Sequence, residues 1–197
     1  MKQFIAFCTF TLLMLLLTSP RAAQAQLRID VAPTVGYGLN VPNQVGDRGS
    51  MSMGALAHFY LNFNSLSLII NPDLDYYLTA AEGITALQGD ANLLLALGEP
   101  GANVLMPYIG IGGALTRVSG NDPRTDASPG VESGLMEGTD FGLNIVLGTT
   151  LGQRNVRAFV QGRYTLGSHQ LYYEDQDNPE PSAGFGVQSG ILFRIND

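Results

Sequence analysis

Phe141-Gly142-Leu143-Asn144-Ile145-Val146-Leu147-Gly148-Thr149-Thr150-Leu151 alternates with a period of two. Phe141, Leu143, Ile145, Leu147 and Leu151 share one parity; Gly142, Asn144, Gly148 and Thr150 share the other. Successive side chains of a strand point to opposite faces, so this segment has one greasy face and one small or polar face. The polar face carries too little charge to cover the outside of a soluble protein. The pattern therefore suits a strand that turns its greasy side to lipid and its polar side to an enclosed lumen.

The same pattern recurs outward from this stretch. Leu27, Ile29, Val31, Pro33, Val35 and Tyr37 alternate with Arg28, Asp30, Ala32, Thr34 and Gly36. Leu66, Leu68, Ile70, Pro72, Leu74 and Tyr76 alternate with Ser67, Ile69, Asn71, Asp73, Asp75 and Tyr77. Phe185, Val187, Ile191 and Phe193 oppose Gly184, Gly186, Gln188, Leu192 and Arg194. Eight strands are predicted, near 27–38, 51–62, 65–77, 84–97, 103–118, 138–152, 155–166 and 182–195. The second has the weakest pattern. The fourth contains Leu93–Leu97, a nearly continuous apolar run that also reads as a short helix. After Leu17 no apolar run is long enough for a spanning helix. A membrane-embedded chain of this kind has to close into a barrel, because lipid offers no partner to a free backbone edge.

Connections 62–65, 98–102 and 152–155 are short and rich in Gly, Asn and Pro, as turns require. Connections 39–50, 119–137 and 167–181 are longer and more polar. Short turns on one rim and long loops on the other are the build of outer-membrane barrels. With eight strands, both termini fall on the short-turn rim, expected to be periplasmic.

The N-terminus has Lys2, an apolar run from Phe4 to Leu17, and Ala23-Gln24-Ala25. That order reads as a secretory signal peptide over residues 1–25, followed by a barrel domain over 26–197. Removing Lys2 and Arg21 leaves eight basic residues, all arginine, against 17 acidic ones, a net charge of −9. Such a balance excludes nucleic acid as a partner. The one cysteine, Cys8, lies in the apolar run, so the mature chain has no disulfide and no thiolate metal site.

Three segments carry a family resemblance. They are the first strand, directly after the signal peptide; Pro107-Tyr108-Ile109-Gly110-Ile111-Gly112-Gly113; and the closing strand Gly184–Arg194 with Phe193 near its end. In these the chain resembles the small outer-membrane β-barrels of the OmpA/OmpX-like superfamily. The resemblance implies an all-β, eight-stranded, antiparallel up-and-down transmembrane barrel. It implies outer-membrane lipid, lipopolysaccharide and the barrel-assembly machinery as partners, and a monomer. The closing strand departs from the pattern, since Arg194, Ile195, Asn196 and Asp197 follow Phe193.

Parity sends Arg28, Asp30, His58, Asp73, Asp75, Asp90, Asp140, Asn144, Arg157, Gln161, Arg163, Gln188 and Arg194 into the lumen. An eight-stranded barrel is just wide enough to be filled by side chains. Buried charges are costly unless paired, so Arg28, Asp30, Asp73, Asp75, Asp90, Arg157, Arg163 and Arg194 are expected to form a polar network across the bore. The alternative use of such a network is a narrow channel or ligand path; a soluble lipocalin-like barrel ranks below both. Tyr37, Tyr76, Tyr108 and Tyr164 are expected at the membrane interfaces.

The residues name no cofactor and no metal. The acidic groups Asp122, Asp126, Glu132, Glu137 and Glu174, Asp175, Asp177, Glu180 match no calcium loop and read as solvated loop charge. Ser168-His169 with Glu174 is the one candidate for lipid-modifying chemistry, and reads instead as an exposed histidine at a loop edge. Gly110-Ile111-Gly112-Gly113 is not a phosphate loop, because alternation continues through Leu115. The expectation is a non-enzymatic barrel whose external partner the residues do not identify.

Overall fold

In the computed structural model, residues 28–39, 49–63, 65–78, 84–98, 100, 104–121, 135–152, 155–168 and 181–196 are described. They form eight strands: β1 (Arg28–Leu39), β2 (Ser50–Phe63), β3 (Leu66–Leu78), β4 (Ile84–Leu97), β5 (Leu105–Asn121), β6 (Leu135–Leu151), β7 (Val156–Ser168) and β8 (Pro181–Arg194). Each pairs antiparallel with the next, and β8 returns to β1 to close the barrel. Closure leaves no strand with a free backbone edge. The predicted strands are all present, with ends shifted by up to three residues. The Leu93–Leu97 run is strand. Leu93, Leu95 and Leu97 point outward while Leu94 is buried, so both faces of this strand meet apolar surroundings.

Two of the tight turns begin with glycines in the left-handed region, Gly98 (φ 112°) and Gly152 (φ 119°). A side chain there would be strained. Each glycine N–H donates to the neighbouring hairpin and extends its ladder by one bond: Gly98 to the Ser65 carbonyl before β3, and Gly152 to the Val104 carbonyl before β5, both at 2.8 Å. The end of β8 is tied down beside the start of β1. Ile195 N–H donates to the Ile29 carbonyl, and Ile29 N–H donates to Asn196 Oδ1 at 2.7 Å.

The burial pattern follows the period of two around the ring. The exterior is apolar: Val35, Leu74, Ile109, Leu143, Leu147 and Ile191 are all exposed. Among the described side chains, one charged residue points outward, Arg117 in the upper part of β5. The β5–β6 hairpin is the longest. It pairs as far as Asn121 and Leu135, whereas the β6–β7 ladder stops at Gly142 and Gly167. The hairpin therefore stands above β7 on the long-loop rim, while β4 accompanies β5 as far as Gly120.

Two prolines interrupt the wall. Proline has no N–H to give to a ladder. The β1–β8 pairing passes from Val31–Phe193 to Thr34–Gly190 across Pro33. The β2–β3 pairing passes from Leu56–Asp73 to Phe59–Ile70 across Pro72. At the second break the Asn71 side chain repairs the loss by donating from Nδ2 to the Ala57 carbonyl at 3.2 Å.

Candidate functional site

The lumen holds the polar residues that could do chemistry or carry an ion. Two charged knots occupy it. The one nearer the tight turns is built on β1 and β7. Asp30 accepts from Arg28 on its own strand, Oδ1 from Nε at 3.1 Å and Oδ2 from Nη2 at 3.2 Å. It also accepts from Arg157 Nη2. Arg157 is 2% exposed; it donates to the Tyr60 hydroxyl at 2.7 Å and stacks beside that ring. Arg28 Nη1 donates to the Pro100 carbonyl in the β4–β5 turn, which braces the mouth of the barrel. Arg194 stands opposite Asp30 in the β1–β8 ladder but makes no ion pair among the described residues, and its Nε has no partner. The expected pairing of Arg194 is thus absent: Arg28 and Arg157 already take the Asp30 oxygens.

The second knot lies toward the long loops. Arg163 on β7 reaches across the bore to β3 and β4. It donates to Asp75 Oδ2 at 2.9 Å, to Asp73 Oδ2 at 3.4 Å, to Asp90 Oδ2 and to the Tyr77 hydroxyl at 2.7 Å. One oxygen from each of the three carboxylates lies within 4.8 Å of the others, close enough to form a metal ligand set. Here the guanidinium engages all three. The remaining oxygens are met by neutral amides. Gln188 donates to Asp73 and Asp75 at 3.2 and 3.1 Å; Gln88 and Asn144 donate to Asp90 Oδ1 at 2.9 and 2.7 Å. Asn92, Asn71 and Thr165 extend the network.

Between the knots lies His58, fully buried, edge-on to Tyr60 and Tyr108 and tilted against Phe159. Its Nδ1 is 3.0 Å from the Tyr60 hydroxyl, and its Nε2 has no partner. Apolar side chains fill the rest of this level. Tyr60, Ile69, Leu94, Ala96, Met106, Tyr108 and Val146 form one cluster; Ala32, Leu56, Phe159 and Leu192 form another.

Tyr108 corrects an expectation. It is 2% exposed and lies in the lumen, where its hydroxyl donates to Gln161 Oε1 at 3.1 Å. Its neighbours Pro107 and Ile109 face out, so parity already pointed it inward. Gly148 makes the room: a Cβ there would lie 2.6 Å from the Tyr108 ring. Tyr37, Tyr76 and Tyr164 do face out, at 51%, 39% and 42% exposure, all toward the long-loop rim. Asn71, Asn92, Thr165 and Gln88 join the network although the expected lumen set lacks them, and Gln88 is the one that touches a carboxylate. It shares the inward parity of Asp90, two residues on, and that was the available signal. The side chains of Asp140, Glu137 and Ser168 lie outside the described residues, as do His169, Glu174 and the other acidic loop residues.

No protein-family model matches the chain, and no curated protein sequence matches it. Its fold is similar to that of several solved structures. The N-terminal β-barrel domain of Pseudomonas aeruginosa OprF matches with a TM-score of 0.55 at 12% identity, over 87% of this chain and 100% of that one. Neisserial surface protein A matches at 0.53 and 14% identity, over 85% and 96%. Ail, the attachment invasion locus protein of Yersinia pestis, matches at 0.51 and 8% identity, over 87% and 99%. All three are small eight-stranded outer-membrane barrels.

Proposed function

We propose that this chain is exported, loses residues 1–25, and resides in a bacterial outer membrane as a closed monomeric barrel that holds its long loops at the cell surface. The carrying observation is a lumen filled by side chains inside an apolar wall. Ile69, Leu94, Met106 and Val146 occupy one half of the bore and the Arg163 network the other. An exterior that is mainly apolar, with Arg117 its one charge among the described side chains, suits lipid, which rewards a greasy face. Both termini then lie in the periplasm with the tight turns. The acidic sequences 119–137 and 167–181 become the working surface, toward divalent-bridged lipopolysaccharide or an external partner. No catalytic step is assigned to it. Lipid and the barrel-assembly machinery are the partners such a body requires.

Reconstitution into planar bilayers tests the closed lumen. The expected record shows no steady conductance above the bare bilayer. A steady conductance that disappears when the lumen is plugged would make the barrel a narrow channel instead. Recovery of the mature chain from the periplasm without detergent would end the membrane reading.

A further inference from the structure

The outer wall is not uniformly large-limbed. Across β1, β2 and β3 the outward residues are Pro33, Ala55, Ala57 and Pro72, flanked by Val31 and Leu74. Together they leave an open apolar hollow of about 500 Å³. On the opposite side of the ring, Ile109, Ile111, Ile145 and Leu147 present long side chains at 48–67% exposure. Both prolines sit where the wall ladder is interrupted, so hollow and breaks coincide.

Two tyrosines stand above it. Tyr37 follows Pro33 by four residues on β1, and Tyr76 follows Pro72 by four on β3. Both point outward on the long-loop side. Four residues of strand span about 13 Å. With strands tilted by about 40°, that is about 10 Å of depth in the roughly 25 Å apolar band of such a barrel, so rings at headgroup level put the hollow near mid-bilayer.

We propose that this hollow seats one acyl chain of a lipid from the long-loop leaflet, with Tyr37 and Tyr76 against its headgroup. The inference rests on the membrane reading above. At that depth only hydrocarbon or another protein can fill the hollow. A second copy docking through the same face would set hollow against hollow and leave both unfilled. A flexible chain adapts to the shape, and two phenol hydroxyls can hydrogen-bond a polar headgroup.

The chain contains no tryptophan, so single-tryptophan variants report local lipid contact without background. Leu74→Trp marks the hollow; Leu147→Trp marks the far side of the belt. Each variant is refolded into detergent micelles and titrated with phosphatidylethanolamine brominated on its acyl chains, a contact quencher. The Leu74→Trp signal is expected to be half-quenched at about one fifth of the lipid mole fraction needed for Leu147→Trp, equivalent to a preference of about 1 kcal/mol. Adding Ala57→Leu to Leu74→Trp should erase the difference; Ala57→Val is the milder filling if the leucine variant does not refold. Replacing Tyr37 and Tyr76 by Phe should shrink it. Superimposable curves for the two reporters overturn the proposal. So does weaker quenching at Leu74→Trp than at Leu147→Trp, which would mark a protein-covered face. If neither reporter is quenched at any fraction, the chain is not in contact with lipid and the membrane reading fails instead.

Discussion

In the half of the lumen next to the tight turns, Ile69, Leu94, Met106 and Val146 pack into an apolar cluster, and charge is confined to one knot on the β1–β7 side. In the half next to the long loops, Gln88, Asp90, Asn92, Asn144, Gln161, Arg163 and Gln188 are all buried and joined through hydrogen bonds. The two knots also have opposite compositions. Three guanidiniums (Arg28, Arg157 and Arg194) stand near the single carboxylate Asp30. Three carboxylates (Asp73, Asp75 and Asp90) surround the single guanidinium Arg163. The difference shows two ways of filling the same bore. One half excludes water with hydrocarbon and places its charge at the rim, where Arg28 braces Pro100. The other replaces water with a satisfied polar network, and its stability hangs on one central cation.

Removing that cation should have the largest effect. Arg163→Met leaves three buried carboxylates facing one another with only amides for company. Breaking a buried ion pair from one side typically costs about 3–5 kcal/mol, and three like charges place this case at or above the top of that range. Urea unfolding of the refolded barrel in lipid vesicles measures it. Adding Asp75→Asn and Asp90→Asn to Arg163→Met should recover much of the loss, because the penalty lies in the uncompensated charge. A loss under about 1 kcal/mol for Arg163→Met would mean that water already shields the three carboxylates, and the upper half would not be a closed network.

Much of this comparison was legible in the residues. Parity alone sent Asp73, Asp75, Asp90 and Arg163 inward, because the residues of the opposite parity on their strands are mainly apolar. Closure followed from the count of strands and the alternation of short and long connections. Which acid meets which base was not legible. Arg163 on β7 pairs with β3 and β4 because the strands tilt and the bore is narrow, and neither cue is written in one strand's sequence. Tyr108 failed for a different reason: its ring type, which suggested an interface, was weighed above its inward parity. The Gly148 that makes room for the ring is forty positions away on the next strand. The hollow at Pro33 and Pro72 was invisible because it exists only once three strands lie side by side.

The tight-turn knot should be more forgiving. Asp30→Asn removes the carboxylate that Arg28 and Arg157 share, but the two have other acceptors. Arg28 holds the Pro100 carbonyl at the rim, and Arg157 holds Tyr60 and Thr150. Long arginine stems can also carry their heads toward water while leaving their methylenes packed. The expected loss is about 2–3 kcal/mol, smaller than for Arg163→Met in the same unfolding series. A larger loss for Asp30→Asn would reverse the comparison and make the rim knot the main clasp of the barrel.

The smallest effect belongs to the boundary between the halves. Tyr60 accepts from Arg157, so its own proton is free for His58 Nδ1, which leaves the ring's other nitrogen, Nε2, to carry a hydrogen without an acceptor. His58→Phe gives up one hydrogen bond, worth about 1 kcal/mol. It also removes a buried polar group without a partner, whose desolvation cost is of similar size. The ring-on-ring contacts with Tyr60, Tyr108 and Phe159 remain available to phenylalanine. The two terms nearly cancel, and the expected change is a loss of less than about 1 kcal/mol. A loss as large as that of Asp30→Asn would show that Nε2 has a partner such as a buried water, and that the polar network runs unbroken from one knot to the other. The halves would then be one hydrogen-bonded column, and His58 its central link.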